Sequence, residues 1–134
     1  MTSIFLDASF WIVYRDEKED NHSVARRVMG DLFRQRSHFV TTLPVICEIH
    51  AYFAREQHKR GQILRDLFDN PVVTIENISH QDQVVALEIL QSHRDKTYSL
   101  CDALSFVVMR RLNVKRALAF DGHFHQFGEF EILN

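Results

Sequence analysis

Glycine and proline are scarce in this chain, four and two of 134 residues, which leaves no Gly-rich phosphate loop, no flexible linker and no visible repeat. Cysteine is scarcer still in effect. Cys47 and Cys101 cannot build a disulfide framework and lack zinc-ligand spacing, so both are expected to be free thiols packed in the core. Each directly precedes an acid, but neighbours on a helix point about 100° apart, which argues against shared ligation. Charge of one sign is missing too: 16 basic residues against 18 acidic ones give a net charge of −2, with no global signal for nucleic acid. Apolar runs stay near four to eight residues, far short of the roughly 18 that suggest a membrane span. The run Ile4-Phe5-Leu6 is interrupted by Asp7 and has no basic leader, so it does not read as a signal peptide. A cytoplasmic protein with no membrane partner is the expectation.

What is present is a full core's worth of apolar residues, 46% of the chain, which fits a single domain over 1–134. Short runs rich in Val, Ile and Phe at 3–6, 38–41, 71–75, 116–120 and 130–133 read as about five buried strands. Helical periodicity lies between them. It is carried by Val24, Val28, Met29 and Leu32, by Val45, Ile49, Tyr52 and Phe53, and by Ile63, Leu64, Leu67 and Phe68. Val84, Leu87 and Leu90 mark another helix, and Leu100, Leu104, Val107, Val108 and Leu112 a fifth. Thr42 before Leu43-Pro44, Ser79 three before Asp82 and Ser99 three before Asp102 are helix-start signals. Alternation of this kind predicts an α/β fold of three layers, a central and mostly parallel sheet flanked by helices with right-handed crossovers.

Four acids interrupt apolar segments: Asp7 after Ile4-Phe5-Leu6, Glu48 in PVICEIHAYF, Asp102 in YSLCDALSFVVMRR and Asp121 after Ala117-Leu118-Ala119-Phe120. Each has an ordinary explanation. Asp7 suits the turn after a strand, Asp121-Gly122 is a turn dipeptide, and Asp102 stands where an acid closes a capping box. Glu48 is harder to dismiss. Taken together, Asp7 and Asp121 fall at strand ends, and Glu48 and Asp102 in the first turns of helices that can start on the same rim. Ligands bind there in open parallel sheets. Clustered carboxylates repel unless a cation neutralises them, and hard oxygen donors select Mg²⁺ or Mn²⁺. Phosphodiester hydrolysis is the chemistry such a centre suits best.

The segments IFLDASFWI, TTLPVICEIHAYF, YSLCDALSFVVMRRL and ALAFDGHFHQFG resemble, in order and spacing, the acidic motifs of PIN-domain ribonucleases. The likeness is strongest to VapC-type toxins of toxin–antitoxin pairs. It implies a PIN-like fold and an Mg²⁺- or Mn²⁺-dependent endoribonuclease acting on RNA, restrained by a cognate antitoxin and assembled as a homodimer. Asp7, Glu48 and Asp102 match the family's metal-binding triad, Asp121 its more variable fourth acid, and Ser9 a position where a small polar residue supports the site. Ala8 and Ala119 stand where the family often has hydroxyls, so two groups that would steady the ligands are missing.

Basic residues cluster most densely at His58-Lys59-Arg60, a candidate RNA-phosphate contact, although surface helices carry such charges for solubility alone. Phe10, Trp11 and Tyr14 follow the first acid at helical spacing and read as core or dimer packing rather than base stacking. His123 and His125 would face one way if extended, but no Cys or acid completes a zinc tetrahedron in the sequence, and His123 is a second candidate phosphate contact. Two other functions compete. A phosphoaspartate receiver also gathers acids at strand ends, yet the early strand here offers Asp7 alone and Lys115 precedes its strand. A non-catalytic RNA-binding scaffold would gain nothing from four mutually repelling acids.

Overall fold

The computed structural model describes residues 2–134. Five strands, β1 (Ser3–Leu6), β2 (His38–Thr42), β3 (Val73–Glu76), β4 (Arg116–Leu118) and β5 (Glu131–Leu133), form one sheet in the order β3-β2-β1-β4-β5. Every pairing is parallel, so the sheet is parallel throughout rather than mostly so. Parallel strands need crossovers, and seven helices among the described residues supply them. These are α1 (Ala8–Arg15), α2 (His22–Arg34), α3 (Leu43–Phe53), α4 (Arg60–Phe68), α5 (His80–Ser92), α6 (Leu100–Leu112) and α7 (Gly122–Phe127).

The chain moves outward from β1 to β2 and β3, then returns to the other side of β1 for β4 and β5. Strand order therefore reverses between β1 and β4. With right-handed connections, the α1–α4 crossovers and the α5–α6 crossover lie on opposite faces, giving three layers. Register fixes the rim at the reversal: Leu6 lies beside Leu118, and the Asp7 N–H donates to the Leu118 carbonyl at 3.0 Å. Both strands then leave the sheet together.

The core holds Phe10, Trp11 and Phe53 as expected, whereas Tyr52 and Phe68, also on apolar helical spacings, are exposed. Phe5, Phe10, Phe53, Phe106 and Phe124 are fully buried, and Trp11 is nearly so. Phe10 stacks on Phe120 at 5.2 Å, which ties α1 to the segment after β4. Cys47 departs from the core reading: it is exposed on α3, because Val45, Ile46 and Ile49 take the inward face. Cys101 is half-buried.

Candidate active site

Asp7 leaves β1 with extended backbone and caps α1, its Oδ2 accepting from the Ser9 N–H at 3.1 Å and the Ser9 hydroxyl at 2.5 Å. It is almost wholly buried. Burial pushes its carboxyl up to about 6; the two Ser9 bonds pull the other way, and the carboxylates of Asp102 and Glu48 push it further up. Ser9 also accepts from the backbone N–H groups of Phe120 and Asp121, at 3.0 and 3.1 Å. One hydroxyl thus joins the end of β1 to the loop after β4.

Asp102 sits in the first turn of α6 and closes a capping box with Ser99, each backbone N–H bonded to the other's side chain at 3.0 Å. The structural role foreseen for it is real. Its Oδ2 is also 2.7 Å from His123 Nδ1, and Oδ1 makes no protein hydrogen bond among the described residues. Asp121 caps α7 through a 2.9 Å bond from the His123 N–H, and its Oδ1 lies 3.3 Å from His123 Nδ1. The expected Asp-Gly turn is therefore a helix start. His125 consequently faces away from His123 and is exposed, because a helix turns alternate residues about 200° apart.

Glu48 lies in the second turn of α3 rather than the first, because the helix already starts at Leu43 directly after β2, and it is more open to solvent than the other acids. Its carboxyl is pushed up by partial desolvation, opposed by a hydrogen bond from the Cys101 thiol and reinforced by Asp102 and Asp121. Burial raises the Cys101 thiol strongly, with Glu48 and Asp7 adding to the shift, so it is a neutral donor and no nucleophile. Mutual repulsion links the acids: Asp7 to Asp102 and Glu48, Glu48 to Asp102 and Asp121. No Lys or Arg among the described residues pairs with any of the four, and His123 is their only basic neighbour. Donor atoms of Asp102, Asp121 and His123 fall within 4.8 Å of one another. An oxygen-rich, uncompensated donor set of this kind fits a divalent cation.

His58, Lys59 and Arg60 lie elsewhere. They form the exposed turn into α4, where Lys59 approaches Glu17 at 3.8 Å and Arg60 donates to the Ala54 carbonyl at 2.8 Å. With Arg15, Arg26 and Tyr14, His58 and Lys59 line a cleft of about 470 Å³ between α1, α2 and α4. Arg15 and Arg26 belong to other helices, and only the packing of α1 and α2 against α4 brings them beside this turn.

The PIN domain family model matches residues 4–129. The chain belongs to the PIN domain family. It is 29% identical to the 23S rRNA-specific endonuclease VapC20 of Mycobacterium tuberculosis over 130 residues, covering 96% of this chain and 97% of the relative. The crystal structure of M. tuberculosis VapC20, described as a sarcin-ricin loop cleaving toxin, superimposes with a TM-score of 0.83 over 96% of this chain and 97% of that one. VapBC2 from Rickettsia felis, solved bound to a promoter DNA fragment, shares the fold with a TM-score of 0.70 at 11% identity, covering 99% and 98% of the two chains. Among the described residues of this PIN domain, no helix is long and apolar enough to cross a membrane.

Proposed function

We propose that this PIN domain is a metal-dependent endoribonuclease, the toxin of a toxin–antitoxin pair, working in the cytoplasm. The observation that supports the reading is the group of Asp102, Asp121 and His123, whose donor atoms lie within 4.8 Å of one another, with Asp7 and Glu48 near enough to feel the charge of Asp102 and no Lys or Arg among the described residues paired with any of the four acids. These four side chains would hold Mg²⁺ or Mn²⁺. When bound, the cation supplies charge that polarises a phosphodiester and makes a water more acidic.

The chain's own residues do the positioning. Ser9 fixes the Asp7 carboxylate and, through the Phe120 and Asp121 N–H groups, the loop that carries Asp121. The capping box with Ser99 leaves Asp102 Oδ1 free for a ligand. His58 and Lys59, with Arg26 across the cleft and Arg60 on the same turn, would offer phosphate contacts to RNA. Full-length similarity to an enzyme named for 23S rRNA makes the ribosome the first substrate to try.

The partner reading is twofold. An antitoxin segment carrying Arg or Lys would complement the acidic rim. A second copy would cover Leu43, Leu87 and Leu100, large apolar side chains left in solvent along a groove at the starts of α3 and α6. Incubating the purified chain with ribosomes and with total RNA, before and after chelation, tests the activity. Discrete cuts that vanish with chelator and return with Mg²⁺ or Mn²⁺ are expected. Intact RNA under every metal condition overturns the proposal.

A further inference from the structure

His123 enters the acidic cluster from α7, and its geometry is that of a ligand. Its Nδ1 stands 2.7 Å from Asp102 Oδ2 and 3.3 Å from Asp121 Oδ1. Adjacent donors around an octahedral ion with bonds near 2.1 Å are separated by about 3.0 Å, and the two observed spacings bracket that edge. The Nδ1 edge of the ring therefore faces the place a cation would take between the two carboxylates. At the opposite side of the ring, Nε2 is 3.1 Å from Thr97 Oγ1. A ligating histidine needs an acceptor of this kind for its second nitrogen, since that bond fixes both ring angle and tautomer. The Tyr98 ring packs edge-on against the imidazole at 5.5 Å and holds its plane. Asp102, the nearest carboxylate, is more than nine-tenths buried with Oδ1 unbonded.

Resting on the metal-site reading above, we propose that His123 binds the divalent cation through Nδ1 beside Asp102 and Asp121, making a mixed nitrogen–oxygen centre that prefers Mn²⁺ to Mg²⁺. In the bound state the Nδ1 lone pair faces the cation, and the ring's single proton sits on Nε2 and donates to Thr97 Oγ1. Mg²⁺ keeps to oxygen donors, whereas imidazole suits the transition metals, so a nitrogen in the set shifts selectivity toward Mn²⁺. The family triad as carboxylates alone does not require such a preference.

Pulsed electron paramagnetic resonance of the Mn²⁺-loaded full chain reads the bond directly. Wild type should show coupling to one directly bound ¹⁴N, and His123→Ala should lose it. Calorimetric titration should show Mn²⁺ affinity falling by about tenfold or more in His123→Ala, the size of loss that ligand-shell changes produce, while Mg²⁺ affinity changes less than about threefold. The wild-type spectrum decides even if the variant folds poorly. Mn²⁺ bound without nitrogen coupling, or coupling that persists in His123→Ala, overturns the inference and leaves the metal site standing. A wild-type chain that binds neither ion overturns both.

Discussion

Ser9 donates its hydroxyl proton to Asp7 at 2.5 Å while accepting from the two backbone N–H groups that lead into Asp121, so one side chain sets the distance between two acids 114 positions apart. The bonds span the cleft between β1 and β4. Ser9→Ala leaves those N–H groups without their partner and removes a bond that stabilises the charged form of Asp7. A stability loss of about 1–3 kcal/mol is expected, with metal affinity weakened about tenfold. Urea unfolding and metal titration of the same preparation check both numbers.

Asp7 also makes the metal-free protein pH-sensitive in a definite direction. Its folded value is raised from 3.8 to about 6, so its stabilising share is complete below about pH 4 and is lost as pH rises through 6. Asp7→Asn removes that loss. In chelator, the variant should gain about 3 kcal/mol over wild type at pH 7, and the gain should vanish near pH 3.5. Urea unfolding at both values measures it; equal stability at pH 7 would show that Asp7 ionises without strain.

Metal binding should follow the same groups with the opposite slope. Protonated Asp7 is a poor ligand, and the raised Glu48 titrates in the same sense, so affinity should fall as pH drops below about 6. Saturating metal should move the acid limb of the cleavage profile to lower pH. A limb unmoved by metal concentration would separate these carboxylates from the ion.

Asp121 is the most replaceable of the strand-end acids. It follows β4 at the cap of the short helix α7 with its side chain about a third exposed, whereas Asp7, at the end of β1, is almost wholly buried. Asp121→Asn should weaken metal dependence rather than end activity, with excess Mn²⁺ restoring part of the rate. A metal titration resolves it: loss at every concentration as complete as in Asp7→Asn would make Asp121 an indispensable ligand.

Asp82 and Asp102 show where sequence reading stops. Both close a Ser-x-x-Asp capping box in the first turn of a helix, and both are buried. Burial pushes the Asp82 carboxyl up, but two 3.0 Å bonds from Arg111 and the bonds from Ser79 together outweigh it and bring the carboxyl below the usual range. Asp102 meets His123 and other acids instead. Nothing local to the two boxes distinguishes them; their partners arrive from 29 and 21 residues away. The strands and long helices were legible because apolar periodicity is local. Helix α7 was not, because six residues are too few to show a period, and with it went the orientation of His123. Exposure of Cys47 was likewise set by which face of α3 its neighbours filled.

On the proposed reading, the acids of this rim act together on RNA through one metal centre. The most direct measurement is the rate of RNA cleavage by wild type, Asp7→Asn, Glu48→Gln and Asp102→Asn in the same metal-containing buffer, with folding confirmed by thermal melts. Each substitution keeps volume and removes one charge, so each should lower the rate by about a hundredfold or more while the fold persists. A wild-type rate in any one folded variant would remove that residue from the metal centre, and wild-type rates in all three would show that the rim does not cleave RNA.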